Sequence, residues 1–133
     1  MQESETDHGR VLKVGLIEDD PIIRMFLIEL INRRPEHFDC IGAWESAEAA
    51  VKPCLSHNPD VMLVDLELPG ASGIEWISEV SPHLVNTAFL VITVHDDPDR
   101  VFSALKAGAT GYLLKTTHSS DIADGIVEAA NGG

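Results

Sequence analysis

The segment Val61-Met62-Leu63-Val64-Asp65-Leu66-Glu67-Leu68-Pro69-Gly70 decides the fold. Its apolar run stops abruptly at the Asp65 carboxylate. A short run of this kind reads as a strand buried on both faces of a parallel sheet. A charge that ends such a strand lies at its carboxyl edge, where open α/β sheets place their ligand sites. Three other runs end the same way. Val11 to Ile17 ends in Glu18-Asp19-Asp20, Ala88 to Ile92 ends in Thr93, and Tyr112 to Leu114 ends in Lys115. Strands that deliver acid, acid, hydroxyl and amine to one edge describe a site for a metal ion and a phosphoryl group.

Between these runs the pattern is helical. Pro21 fits the first turn of a helix capped by Asp19 or Asp20. That helix carries Ile22, Ile23, Phe26, Leu27, Leu30 and Ile31, with Ile22, Ile23 and Phe26 expected mostly to face the core, and it ends near Arg33-Arg34-Pro35. A second strand covers about Phe38 to Ala43. Ser46 caps a short helix that Pro53 is expected to shorten or kink. The loop Pro69-Gly70-Ala71-Ser72-Gly73 leads into a helix around Ile74, Trp76, Ile77 and Val80. Asp96 or Asp97 caps the next helix, with Pro98 at its start and Val101, Ala104 and Leu105 at helical spacing. Gly108 ends it in a left-handed cap. Ser119 or Ser120 caps the last helix, with Ile122, Ile126, Val127 and Ala130 inward. Strict alternation of five strands and five helices predicts an α/β fold, a doubly wound, five-stranded parallel sheet of flavodoxin-like (βα)5 type.

Composition sets the outer bounds. A chain of 133 residues with 44% hydrophobic and 5% aromatic content suits one domain with an aliphatic core. Residues 1–10 read as an acidic, disordered lead-in, 11–130 as the domain, and 131–133 as the start of a linker or a C-terminal end. A net charge of −13, from 22 acids against 9 lysines and arginines, argues against binding of nucleic acid or anionic lipid by this chain. No apolar stretch reaches the ~18 residues of a membrane span. Cys40 and Cys54 match no metal spacing and read as reduced, partly buried thiols of a cytoplasmic protein.

Carboxylates of Glu18, Asp19 and Asp65 brought to one point would repel, and a cation or a proton would relieve them. An all-oxygen donor set without His or Cys favours Mg²⁺ or Mn²⁺ over Zn²⁺. Asp65 then reads as a nucleophile, with Thr93 and Lys115 to share the charge of an incoming phosphoryl group. Taken singly, each residue has a plainer reading. Asp19 and Asp20 can both serve as caps, Thr93 can bond local backbone, and Lys115 can be solvated. The joint pattern at four strand ends is far more specific than any member.

In order, these pieces are Glu18-Asp19, Asp65, Pro69 four residues later, Gly73 eight later, Thr93, and Lys115 with Tyr112 three before it. Over roughly Val11 to Ala130 the chain resembles the receiver domain of bacterial two-component response regulators. The segment Leu105-Lys106-Ala107-Gly108-Ala109-Thr110-Gly111-Tyr112-Leu113-Leu114-Lys115-Thr116 is similar to the NarL/LuxR-type subgroup. The resemblance implies that Asp65 is the phosphoacceptor, aided by Thr93 and Lys115. It implies Mg²⁺ bound by Asp19, Asp65 and the Glu67 backbone carbonyl, with Glu18 acting through a water. It implies a switch made of Thr93 and Tyr112. It further implies phosphorylation by a sensor histidine kinase or a phosphotransfer protein, homodimerisation on phosphorylation, and control of a helix-turn-helix output domain absent from this chain. Such a domain phosphorylates and dephosphorylates itself but is not a turnover enzyme. The alternative is a stand-alone receiver acting as a phosphoryl shuttle or docking module.

Two positions depart from the family or vary within it. Thr116 stands where many receivers have proline. Glu67 is a large acid two residues after Asp65, and His95 lies two after Thr93. Both are expected at the rim of the site, where Glu67 pairs with protonated His95 and the two set the phosphoryl lifetime. Two other classes fit poorly. A haloacid-dehalogenase-type phosphatase would want a second Asp where Glu67 stands. A nucleotide-binding domain would want a Gly-rich loop where Glu18-Asp19-Asp20-Pro21 stands.

Overall fold

The computed structural model describes residues 10–68, 72–94 and 97–132. The N-terminal residues 1–9, the loop residues Pro69, Gly70 and Ala71, then His95, Asp96 and Gly133 lie outside the described residues. Five strands, β1 (Leu12–Ile17), β2 (Phe38–Trp44), β3 (Val61–Asp65), β4 (Ala88–Thr93) and β5 (Gly111–Leu114), alternate with helices. The helices are α1 (Pro21–Asn32), α2 (Ala47–His57), α3 (Gly73–Val80), α4 (Pro98–Ala107) and α5 (Ser119–Ala130), with a 3-10 turn at Ser81–His83. The strands form one sheet in the order β2-β1-β3-β4-β5, every pairing parallel.

Alternation along the central strands divides the core. Val14, Leu16, Val61, Leu63, Leu90 and Ile92 point to the α1 and α5 face, where Leu27, Leu30, Ile31, Ile122 and Ile126 meet them. Ile17, Met62, Val64, Phe89 and Val91 point to the opposite face and pack on Ala50, Cys54, Trp76, Ile77 and Ala104 of α2, α3 and α4. All five residues of β3 are buried, as its unbroken apolar run requires. Trp76 is the largest of the fully buried side chains and meets the Phe89 ring edge-on at 5.9 Å between centroids.

Several local expectations need correction. Ile22 and Phe26 do not face the core; they are 79% and 45% exposed. The buried stripe of α1 is Leu27, Leu30 and Ile31 with Ile23 packed against it, so Ile22, Met25 and Phe26 fall on the other side of the 3.6-residue period. Within the helical spacing of α4, Ala104 carries the buried face and Leu105 is outward. Pro53 does not shorten α2, which continues to His57, because Ala50 and Cys54 are buried on either side of it. Strand β2 extends to Trp44, whose carbonyl accepts from Glu18 N at 2.9 Å and so prolongs the ladder. The cap of α5 is His118, whose ring accepts from Ser120 N, and neither Ser119 nor Ser120. Asp97 caps α4, and Gly108 ends it at φ 126°, a conformation that suits glycine.

Among the described residues no helix is long and apolar enough to cross a membrane. Both cysteines are free thiols, with Cys54 fully buried against Met62 and Cys40 partly exposed. Burial pushes the Cys54 thiol up to about 12, and burial also raises Cys40. The native chain is therefore expected to react with a thiol reagent at mildly alkaline pH at Cys40 alone, and slowly. Cys54 should label only after denaturation, as peptide mapping by mass spectrometry would show.

Candidate functional site

The parallel sheet brings the ends of β1, β3, β4 and β5 to one edge. Register places Ile17 beside Val64, Asp65 beside Ile92, and Thr93 beside Leu114. Two bonds extend the ladders past the strands. Glu18 N donates to Trp44 O, and Lys115 N donates to Thr93 O at 2.8 Å. The sequence-predicted residues are thus adjacent because the strands are in register, although they are scattered along the chain.

Asp65 is 2% exposed, Glu18 is fully buried, and Thr93 is 1% exposed. Buried carboxylates demand partners. Asp65 Oδ1 accepts from Glu67 N at 2.9 Å, and Asp65 Oδ2 accepts from Lys115 Nζ at 3.1 Å. Glu18 Oε2 accepts from Asp20 N at 3.1 Å. Glu18 Oε1 lies 2.9 Å from Lys115 Nζ, close enough for ion pairing, yet it has no partner in hydrogen-bond geometry. Lys115 is therefore shared between two buried acids. Burial alone would lower its pKa, but Glu18 and Asp65 together outweigh that and hold the ammonium above its usual value.

Asp19 is exposed at the rim, and carboxylate oxygens of Glu18, Asp19 and Asp65 lie within 4.8 Å of one another. Asp20 turns away to cap α1, accepting from Ile22 N at 2.9 Å and Ile23 N at 3.4 Å. The acidic turn is thereby split between a helix cap and a ligand site. Hard oxygens from three carboxylates at this spacing fit a small divalent cation. Gly73 closes the floor. A Cβ there would stand 2.4 Å from Asp65 O, so only glycine lets α3 start this near the Asp65 backbone.

Tyr112 lies on β5 beside Val91 and is 37% exposed, so it does not pack into the core. Glu67 follows Asp65 as expected, and its side chain forms an ion pair with Arg100 in the first turn of α4. Arg100 was not singled out in the sequence. No local signal links it to an acid 33 positions away. His95, the partner expected for Glu67, lies outside the described residues. Arg24 of α1 was also missed. Its guanidinium donates to Glu18 O at 2.7 Å and Asp19 O at 3.3 Å.

Burial is the main cause that pushes Glu18 up to about 7 from the usual 4.5; the nearby Asp65 charge adds to it, while Lys115 and Asp20 N oppose it. Between those values the folded chain holds a proton that the unfolded chain has lost. This contribution to stability is fully present below about pH 4.5 and is lost as pH rises through about 7. In chelator, the melting temperature should therefore climb more from pH 8 to pH 5 in the native chain than in Glu18→Gln, in the window those two values define. Equal slopes in a calorimetric series would contradict the burial of an ionisable Glu18.

The comparisons with known proteins agree with this geometry. The response regulator receiver domain pattern matches residues 14–127. The transcriptional regulatory protein LiaR of Bacillus subtilis is 34% identical over 122 residues, 92% of this chain and 57% of that protein. The nitrate/nitrite response regulator protein NarL of Escherichia coli K12 is 32% identical over 117 residues, 88% of this chain and 54% of that protein. The chain thus spans about half the length of such relatives. Among solved structures, the signal receiver domain of the NarL response regulator from Mycobacterium tuberculosis superposes with a TM-score of 0.88 at 28% identity, covering 93% of this chain and 99% of that one. A LuxR-family response regulator from Aurantimonas gives 0.86 at 28% identity, covering 92% and 87%. Fold, edge and sequence relatives together make this chain a member of the response regulator receiver domain family, of the NarL/LuxR type.

Proposed function

We propose that Asp65 accepts a phosphoryl group and that the domain converts this event into a change of surface. The observation that carries the reading is the buried Asp65 carboxylate, with one oxygen on Glu67 N and the other on Lys115, beside the Glu18 and Asp19 carboxylates. An Asp65 oxygen attacks phosphorus, the new O–P bond forms, and the P–N bond to a phosphohistidine donor breaks. The leaving nitrogen takes up a proton. Lys115 already donates to the attacking carboxylate and can follow the charge to a phosphoryl oxygen, while the Thr93 hydroxyl at the end of β4 donates to another. Asp19 and Asp65 would hold Mg²⁺ or Mn²⁺ directly, the Glu67 carbonyl would complete the protein ligands, and Glu18 would act through a water. When bound, the ion neutralises the charge that gathers on the phosphoryl oxygens.

Thr93 and Tyr112 are proposed as the switch. Drawing Thr93 toward the phosphoryl group opens space into which the exposed Tyr112 ring turns, and the surface of α4, β5 and α5 changes with it. The donor is a sensor histidine kinase or a phosphotransfer protein in the cytoplasm. The whole protein is proposed to dimerise on phosphorylation and to control transcription through a helix-turn-helix domain, in keeping with the transcriptional regulators it resembles. The present chain, at a net charge of −13, is not expected to bind DNA. The domain is a phosphoacceptor with self-phosphorylating and self-dephosphorylating activity, not a turnover enzyme.

Treatment with acetyl phosphate and Mg²⁺ should add one base-labile phosphoryl mass to the native chain and none to Asp65→Asn. Equal labelling of the variant by intact-mass measurement would remove the reading.

Glu67 and His95 are proposed to set the lifetime of the phosphoryl group, with Glu67 steadied by Arg100. A water must approach in line with the Asp65 oxygen, and a side chain fixed at the rim limits that approach. Glu67→Ala and Arg100→Ala should each still be labelled but lose the group at a rate several-fold different from the native chain. The double variant should resemble the singles, because both remove one pair. Decay that matches the native rate in both single variants would assign lifetime control elsewhere.

A further inference from the structure

We infer that Arg24 is a positioning residue that presets the acidic turn for a divalent ion, an inference that rests on the cation site proposed above. Arg24 is the fourth residue of α1 and half-buried. Its guanidinium reaches back over the turn to donate to the Glu18 carbonyl at 2.7 Å and to the Asp19 carbonyl at 3.3 Å. Its own N–H donates to Asp20 O at 2.8 Å. Asp20 in turn caps the helix and donates its N–H to Glu18 Oε2. Glu18 N is held by Trp44 O. The backbone of Glu18-Asp19-Asp20, which leaves β1, is thus fastened to the helix it precedes and to the end of the neighbouring edge strand β2.

The choice of acceptor matters. An arginine this near the acidic cluster could form an ion pair with a carboxylate and thereby take the place of a cation. Its contacts here go to carbonyl oxygens, and the carboxylates of Glu18, Asp19 and Asp65 remain within 4.8 Å of one another. A metal ligand whose backbone is already ordered loses less freedom on binding. Residues that hold ligands in this way affect affinity strongly without touching the ion.

The guanidinium also acts as a charge, and that effect has the opposite sign. A fixed positive charge repels a second cation. Arg24 is partly exposed, so solvent and salt weaken this repulsion, whereas the hydrogen bonds are direct. Order should therefore outweigh repulsion, and loss of Arg24 should weaken metal binding despite removing a positive charge.

Calorimetric titration of Mg²⁺ into the full chain, well below its melting temperature, tests this by sign. Arg24→Met keeps the apolar stem and loses the clamp, and should raise the Kd roughly tenfold. Arg24→Lys keeps the charge, but its nitrogen sits one bond nearer the backbone than the Nη1 that contacts both carbonyls, so it should fall between native and Met. A Kd for Arg24→Met equal to or lower than native would overturn the inference, even with a lower melting temperature, since that pattern describes a residue serving the fold alone. Should Arg24→Met fail to fold, the Lys variant decides by the same measure, and a native Kd there overturns the clamp. A native chain that binds no Mg²⁺ would instead overturn the cation site itself.

Discussion

Lys115 lies between Glu18 and Asp65, two carboxylates that are 1% and 2% exposed in their side chains, and most features of the edge follow from that constraint. Two buried acids side by side are unfavourable without a counter-charge. Taking one partner from such a buried pair costs about 3–5 kcal/mol in general, because the remaining charge is left uncompensated. The lysine supplies that counter-charge from a third strand end. This requires β5 to reach the same edge as β1 and β3, which the parallel order does. Even so, compensation is incomplete. Two carboxylates share one ammonium, and the buried Glu18 is pushed toward neutrality. Three carboxylates against one ammonium leave this edge with excess negative charge.

The second consequence concerns what surrounds the edge. Charge this deep needs fixed partners, and beside Lys115 the backbone supplies them. Glu67 N, Asp20 N, Trp44 O and Thr93 O each contribute a fixed contact, and each belongs to a different strand end or turn. The close approach of Gly73 to Asp65 O brings the start of α3 onto the same floor. Asp65 is thereby connected to elements that carry the outer surface. The Glu67–Arg100 pair does the same at the rim, joining the turn after β3 to α4. Helix α4 has Phe102 and Leu105 exposed, and β5 has Tyr112 exposed, so the elements tied to the site also present apolar surface to solvent.

Sequence alone determined the alternating α/β plan, because buried parallel strands must be apolar without interruption and must end where polarity is allowed. The same reasoning located Glu18, Asp19, Asp65, Thr93 and Lys115, since a polar residue that ends such a run can only lie at an edge. Finer matters were legible in part. Asp20 against Asp19, and His118 against Ser119 or Ser120, are choices of one residue that backbone dihedrals decide, and composition does not separate them. The outward turn of Ile22 and Phe26 escaped a reading that equates apolar with buried, a rule that holds in one direction only.

Tertiary structure decided the rest. Whether three acids along the chain form one cluster depends on strand order and register, as does the meeting of Lys115 with two of them. Glu67 with Arg100 is a pair between distant segments, and nothing in either neighbourhood encodes it. Arg24 is near Glu18 in sequence, but its choice of carbonyls over carboxylates follows from the direction of α1 as it leaves the turn. Apolar periodicity is a local property and survives in a string of residues. The partners of a charge depend on distances across the fold, and they exist only once the sheet has closed the space between its strands.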